Sequence, residues 1–234
     1  DAIDAASILT QQKSILIKPN LICDSPPPVT TPAECCEAIV QYAQKHSDAE
    51  IVIAEGCGAP DSETDELFDS LGYTSMAKKL GVQLVDLNNA PLRKLSVKGN
   101  RVFPEMYLPE MIFDTCLISV PMLKAHSIAT ITGTLKNMMG CAPPSHYARG
   151  GHWKKAAFHA QMHQAIVELN RYRKPDMSVM DASTGLADFH LGGSRCNAPV
   201  TKILAGYDPL ALDRRAAELL GRNWHSIGHL SGNI

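Results

Sequence analysis

Short apolar runs alternate with amphipathic stretches along the first 90 residues of the chain. The runs Ser14–Lys18, Ile51–Ala54 and Val82–Leu87 are bounded by Pro, Gly or polar residues, a pattern that predicts buried strands. Helices are predicted between and after the first two strands, over residues 32–46, 64–70 and 75–80. Strands that alternate with helices form βαβ units, and these units assemble into a parallel sheet.

The ends of two predicted helices carry capping signals. Thr31 is predicted as the N-cap of the first long helix, with Pro32 at its first position and Glu34 completing a capping box. Asp208 is predicted to cap the last long helix, which ends before Gly221. These signals fix where the two helices begin.

The second half of the chain adds a hairpin and more strands. Leu92–Val102 alternates weakly around Lys98-Gly99-Asn100, which predicts a hairpin. Further buried strands are predicted over Cys116–Val120, Met177–Met180 and Lys202–Ala205. The predicted fold class is α/β: a single domain over residues 1–234, in which a mainly parallel central sheet is flanked by helices and carries a hairpin insertion.

Composition narrows the class of protein. The chain has 234 residues, of which 45% are apolar, and a net charge of −2. No apolar run reaches the roughly 18 residues of a membrane span, and no basic stripe suits nucleic acid. We therefore expect neither a membrane nor a nucleic acid as partner. The chain starts at Asp1, so the sequence leaves open whether a targeting segment has been removed.

The seven cysteines predict reduced thiols and a cytoplasmic location. Their number is odd, and no two are spaced as C-x-x-C, so a disulfide framework is not expected. Ferredoxin-type spacing is also absent, which disfavours an iron–sulfur cluster held by this chain alone.

The segment Pro121–Cys141 concentrates polar chemistry directly after a buried strand. It contains Lys124, His126, Lys136 and Asn137, with little strand or helix period. Open α/β sheets bind ligands outside the carboxyl ends of their strands, so we expect these side chains to face one cleft. His126 and Lys136 are the predicted catalytic residues. His126 is predicted to transfer protons, and Lys136 to bind an anion or to form a covalent adduct. The alternative is a surface loop with solvated lysines.

Other strand ends point to the same cleft. Lys18 and Asn20 follow the first strand, Glu55 and Gly56 follow the second, and Asp181 ends a later one. Lysines bind anions through charge-assisted hydrogen bonds, and glycine permits close backbone approach. These residues are the predicted binding set for a small anionic molecule, although Asp181 also suits a turn cap.

Three histidines offer a weaker hypothesis. His152, His159 and His163 would share one face of a continuous helix, and the last two are weak candidates for metal ligands. No third ligand stands at a fixed spacing, so whether a metal is bound stays open.

Several motifs in order resemble the domain-of-unknown-function family number 362. They are ILIKPNL, IVIAEG, ELFDSLGY, ISVPMLKAH, TGTLKNMMG, MDASTGLADFHLGG and GYDPLALD, spread from about residue 13 to about 221. The resemblance implies no assigned activity. It implies an occurrence in anaerobes, and relatives with ferredoxin-type cysteine inserts that this chain lacks.

A more distant similarity is to the nickel-pincer lactate racemases. His126 and Lys136 are ten residues apart in a Gly-containing segment after a strand. In that family the histidine acts as an acid or base and the lysine tethers the cofactor. Cys57 stands where the racemases have another histidine, so the resemblance implies a shared site location rather than a shared reaction.

The sequence favours an enzyme with acid–base or covalent chemistry at His126 and Lys136. One alternative is a non-catalytic module that binds a phosphorylated metabolite. Another is a partner protein of an iron–sulfur redox system. The cofactor and the oligomeric state stay unknown at this point.

Overall fold

A computed structural model describes residues 2–232 as an α/β fold of ten strands and nine α-helices. The strands are β1 (Ser14–Lys18), β2 (Glu50–Glu55), β3 (Gln83–Asp86), β4 (Leu92–Ser96), β5 (Glu105–Pro109), β6 (Cys116–Ser119), β7 (Met122–His126), β8 (Thr130–Thr132), β9 (Met177–Leu186) and β10 (Lys202–Gly206). The helices are α1 (Ala5–Leu9), α2 (Ala33–His46), α3 (Thr64–Ser70), α4 (Tyr73–Leu80), α5 (Thr134–Asn137), α6 (Pro144–Tyr147), α7 (Met162–Tyr172), α8 (Pro209–Leu219) and α9 (Gly228–Ser231). Within these residues no helix is long and apolar enough to cross a membrane.

The central sheet has the order β3-β2-β1-β6-β9-β7-β8, and β10 pairs with β9. The pairs along β3-β2-β1-β6-β9-β7 are parallel, whereas β8 and β10 pair antiparallel to their neighbours. From β1 the chain builds β2 and β3 on one side and β6 on the other. Strand order therefore reverses next to β1, where open α/β sheets leave a crevice for ligands.

The central strands β1 and β6 are buried on both faces of the sheet, and side chains alternate between these faces along each strand. On β1, Leu16 joins a core with α7 and α8, whereas Ile15 and Ile17 join a second core with α2, α3 and α4. The predicted single-domain α/β fold with a mainly parallel sheet is confirmed, and β4 and β5 form the predicted hairpin insertion.

Two local predictions are wrong. Thr31 does not cap α2: its hydroxyl donates to Val120 O and accepts from Asn20 N, and Pro32 is the N-cap residue. The Thr31 hydroxyl is used in hydrogen bonds to residues outside the helix, so it is not available as the cap that the sequence pattern predicted. The segment Pro121–Cys141 is not irregular either, since it contains β7, β8 and α5.

The proposed continuous histidine helix is also absent. His152 precedes a 3₁₀ turn that spans Ala156–Gln161, and α7 begins only at Met162. His159 and His163 therefore lie on different elements, and the spacing argument for a shared metal does not apply to them.

Candidate functional site

A buried ion pair joins the carboxyl ends of β1 and β2. Lys18 Nζ lies 2.8 and 2.9 Å from the two carboxylate oxygens of Glu55. Glu55 also accepts hydrogen bonds from the backbone N–H groups of Gly56 and Leu21, at 2.8 and 3.1 Å. Both charges are thus fully partnered without solvent. Breaking such a pair typically costs about 3–5 kcal/mol, because the remaining charge stays buried.

Asn137 connects this pair to the next strand. Its Nδ2 donates to Lys18 O at 3.2 Å and to Ser119 Oγ at 3.0 Å, and its Oδ1 lies 3.4 Å from Lys18 Nζ. Lys18 and Ser119 are register partners in β1 and β6. Asn137 therefore fixes the C-terminal end of α5 against the edge where the strand order reverses.

The first turn of α5 is held by Asp213 from α8. Its buried carboxylate accepts the N–H of Thr134 at 2.6 Å and that of Leu135 at 2.9 Å. A β-carbon at Gly133 would overlap this carboxylate, so glycine permits the approach. Burial raises the pKa of Asp213 to about 7.

Lys136 lies between these two anchored ends of α5. Its side chain is partly buried, and its Nζ has no hydrogen-bond acceptor or ion-pair partner among residues 2–232. Burial lowers the pKa of Lys136 to about 8, and the nearby charge of Lys18 adds to the effect. Glu55, the carboxylate at the end of β2, is already neutralised by Lys18.

His126, at the end of β7, has a fixed tautomer. Its Nδ1 accepts the backbone N–H groups of Ile128 and Ala129, both at 3.1 Å. The neutral ring therefore carries its proton on Nε2. Burial, followed by the charge of Lys136, lowers the pKa of His126 far below its usual value. The imidazole stays neutral at physiological pH and offers a hydrogen-bond donor.

His190 stacks on His126 with ring centroids 3.9 Å apart. It belongs to a turn over residues 187–194 that closes through Ala187 N–H to Ser194 O at 2.8 Å. Its buried Nδ1 has no partner among the residues described. Burial lowers the pKa of His190 to about 3, so both stacked rings are neutral.

These side chains surround a cavity of about 220 Å³. Seven of the residues predicted from sequence line it: Asn20, Glu55, Gly56, His126, Lys136, Asn137 and His159. Apolar side chains complete the wall, among them Ile22, Ile128 and Met139. The cavity is smaller than the roughly 300–1,000 Å³ of sites for drug-sized ligands, which suits a small metabolite.

The remaining predicted residues lie outside this lining. Lys18 is buried beneath it, bonded to Glu55. Lys124 lies behind Asn20, to whose Oδ1 it donates at 2.7 Å, and burial lowers the pKa of Lys124 to about 7. Asp181 accepts from Ser183 N at 2.8 Å and borders a separate groove beside α2.

The metal candidates are separated. His159 lines the cavity, whereas His163 Nδ1 lies 2.8 Å from His229 Nδ1, against α9. In the part of the chain that the structure describes, no three His, Cys, Asp or Glu side chains are grouped to hold a metal ion. Cys57 is buried, and burial raises the pKa of its thiol, which disfavours a thiolate.

Sequence reasoning missed several lining residues, among them Lys155, Trp153 and His190. Lys155 Nζ donates to Asn88 Oδ1 and to Ala142 O, and burial lowers its pKa to about 8. Trp153 and Lys155 lie in an irregular stretch, where no period signals which side chains turn inward. His190 lies within the motif MDASTGLADFHLGG, but nothing in that motif indicates that its ring stacks on His126.

A family model described as "Domain of unknown function (DUF362)" matches residues 15–218. The matched range includes every residue that lines the cavity. No curated protein and no solved structure matches the chain. The similarity to lactate racemases therefore stays a prediction.

Proposed function

The chain belongs to the DUF362 family, whose description assigns no function, and from its site we propose that it is an enzyme that binds and converts a small organic anion. The anion occupies the cavity at the carboxyl ends of β1 and β2. The observation that carries this proposal is Lys136, a partly buried lysine whose Nζ has no acceptor among residues 2–232.

The balance of charge in the cavity supports an anion. Among the described residues that line the cavity, Glu55 is the one with a carboxylate, and Lys18 neutralises it. Among residues 2–232, neither Lys136 nor Lys155 has a carboxylate partner, and Lys155 is bonded to a side-chain amide and a backbone carbonyl. Uncompensated ammonium groups in a partly dry cavity attract an anion more strongly than the same groups on an open surface.

Within anions, the geometry favours a carboxylate over a phosphate. Phosphates are commonly bound by the free N–H groups at a helix N-terminus. At α5 those N–H groups are already taken by the Asp213 carboxylate. Because the Asp213 carboxylate already occupies the position that a phosphate would take, a phosphorylated metabolite is disfavoured as the ligand.

Each polar group has a role in this proposal. Lys136 and Lys155 supply positive charge, and His126 donates from Nε2–H to an oxygen of the bound molecule. His126 is not a proton acceptor here, because its Nδ1 is occupied by two backbone N–H groups. A neutral imidazole that donates a hydrogen bond polarises a carbonyl group without carrying charge.

The first test compares thermal unfolding of Lys136→Met with that of Lys94→Met in a panel of small carboxylates and inorganic phosphate. Lys94 is exposed on the hairpin and paired with Glu105 at 3.0 Å. At about 100 times the dissociation constant, a ligand adds about 2.7 kcal/mol to stability. We expect carboxylates to stabilise the wild type and Lys94→Met but not Lys136→Met. Equal stabilisation of both variants would contradict the proposal.

Turnover separates the enzyme from a binding module. Each acid that binds is incubated with the wild-type protein and followed by proton NMR. Conversion of a bound acid supports the enzyme. A panel in which acids bind and none is altered would instead indicate a binding module.

A further inference from the structure

The two uncompensated lysines of the cavity differ in what holds them. Lys155 is buried and its Nζ donates to Asn88 Oδ1 and Ala142 O, which leaves one N–H free of a protein acceptor. Lys136 Nζ has no acceptor at all among residues 2–232. Lys155 Nζ is thus held in place by its two acceptors and suits binding, whereas among residues 2–232 nothing holds Lys136 Nζ away from a bound molecule.

The surroundings of Lys136 make its ammonium group lose a proton more easily than an ordinary lysine does. It lies beside the paired Lys18 and the neutral rings of His126 and His190, and no carboxylate among residues 2–232 forms an ion pair with it. With a pKa of about 8, roughly 300-fold more of this amine is neutral at pH 7 than of an ordinary lysine. A neutral amine is the nucleophilic form.

We propose that the substrate is a small 2-oxo carboxylate and that Lys136 attacks its carbonyl carbon to form an imine, while Lys155 binds the carboxylate. This inference rests on the proposed function and specifies its substrate class. The new C–N bond forms as the carbonyl oxygen takes up two protons, formally those of the amine, and leaves as water. No oxidant or reductant takes part in the step.

Two further features of the cavity fit this step. His126 Nε2–H is a donor with a fixed direction, because Nδ1 is held by the N–H groups of Ile128 and Ala129. A hydrogen bond from it to the carbonyl oxygen polarises the bond that Lys136 attacks. The apolar side chains of Met139 and Ile128 line the same space and limit the water that would hydrolyse the imine.

Reductive trapping tests the imine directly. The full-length protein is incubated at neutral pH with pyruvate or 2-oxobutanoate and sodium cyanoborohydride, then analysed by intact mass and by peptide mapping. Hydride adds to the imine carbon and a proton to nitrogen. The mass therefore increases by that of the acid less one oxygen atom. We expect the adduct on Lys136, in large excess over exposed lysines such as Lys94, because those amines are almost wholly protonated.

Matched acids and variants make the outcomes distinct. Propanoate and butanoate lack the oxo group and should bind without trapping. Lys136→Arg keeps the charge but cannot form an imine, so it should bind the acids and lose the adduct.

If oxo acids stabilise the wild type but label Lys136 no more than Lys94, the imine is overturned and anion binding stands. If no carboxylate stabilises the wild type, the proposed function itself fails. Should Lys136→Arg not fold, the labelling site in the wild type decides.

Discussion

Lys18 and Lys136 show how the same residue type serves two purposes within one site. Lys18 is fully buried and donates to both oxygens of Glu55, so its charge is compensated and its position is fixed. Lys136 is partly buried and has no acceptor among residues 2–232. The first residue builds the floor of the cavity, and the second is available to a ligand.

Gly140 shows how tightly that floor is packed. A methyl group at this position would overlap Glu55 Oε1 and lie 2.5 Å from Lys18 Nζ. The ion pair cannot yield, because Glu55 also holds two backbone N–H groups. We expect Gly140→Ala to lower the free energy of unfolding by about 1–3 kcal/mol, the usual effect of overpacking, as measured by urea denaturation.

A control for this substitution is available in β10. A β-carbon at Gly206 would meet nothing within 4 Å. Gly206→Ala should change the free energy of unfolding by no more than about 0.5 kcal/mol. An equal effect of the two substitutions would show that the ion pair is not rigid.

At the scale of elements, the four-residue helix α5 carries the site but cannot hold itself together. Isolated helices of this length do not form in water, since nucleation is unfavourable. Asp213 of α8 fixes its start, and Asn137 fixes its end to Lys18 O and Ser119 Oγ. The position of Lys136 is thus set by contacts of α5 with three other elements, β1, β6 and α8.

Replacing the buried cap should release α5. We expect Asp213→Ala to lower the free energy of unfolding by about 1–3 kcal/mol, because the N–H groups of Thr134 and Leu135 lose their acceptor. It should also reduce the stabilisation by pyruvate, since Lys136 is no longer fixed. Urea unfolding with and without pyruvate at pH 8, above the pKa of about 7 of Asp213, measures both effects.

Asp208 provides the matched comparison. Its exposed carboxylate accepts two backbone N–H groups at the start of α8, at 2.9 and 3.1 Å. Asp208→Ala should cost about 1 kcal/mol and leave the stabilisation by pyruvate unchanged. Loss of ligand response in both variants would mean that the effect is global.

At the scale of the whole molecule, periodicity predicted the sheet, because apolar runs such as Ser14–Lys18 report burial directly. Strand ends then indicated several lining residues, since parallel strands finish at one edge. The fixed tautomer of His126, the pairing of Lys18 and the inward turn of Lys155 were not predictable. Each depends on contacts between segments far apart in the chain, and sequence spacing does not report such contacts.

Three lysines with lowered pKa values make the stability of the molecule depend on pH. Burial lowers the pKa of Lys124 to about 7 and those of Lys136 and Lys155 to about 8, from an ordinary value of 10.5. At a pH between the lowered pKa of each lysine and 10.5, the unfolded chain holds a proton on that lysine that the folded protein has released. The free energy of unfolding therefore gains a contribution that rises with pH in this window. Of the three, Lys136 is the best choice for a substitution that tests this pH dependence. Its Nζ bonds no acceptor among the described residues, so its removal leaves none of them unpaired.

We expect Lys136→Met to flatten the rise of stability between pH 8 and 9. The lost slope should be about 1 kcal/mol per pH unit, since one site that is protonated only in the unfolded chain contributes about 1.4 kcal/mol per unit. Urea unfolding of the ligand-free wild type, Lys136→Met and Lys94→Met across this range measures it. Buried thiols also titrate there, but they are common to all three proteins and cancel in the difference. Lys94 is exposed and paired with Glu105, so its variant should follow the wild type. Parallel profiles for the wild type and Lys136→Met would show that the Lys136 amine keeps its proton in this range. The proposal that Lys136 acts as a nucleophile would then lose its support.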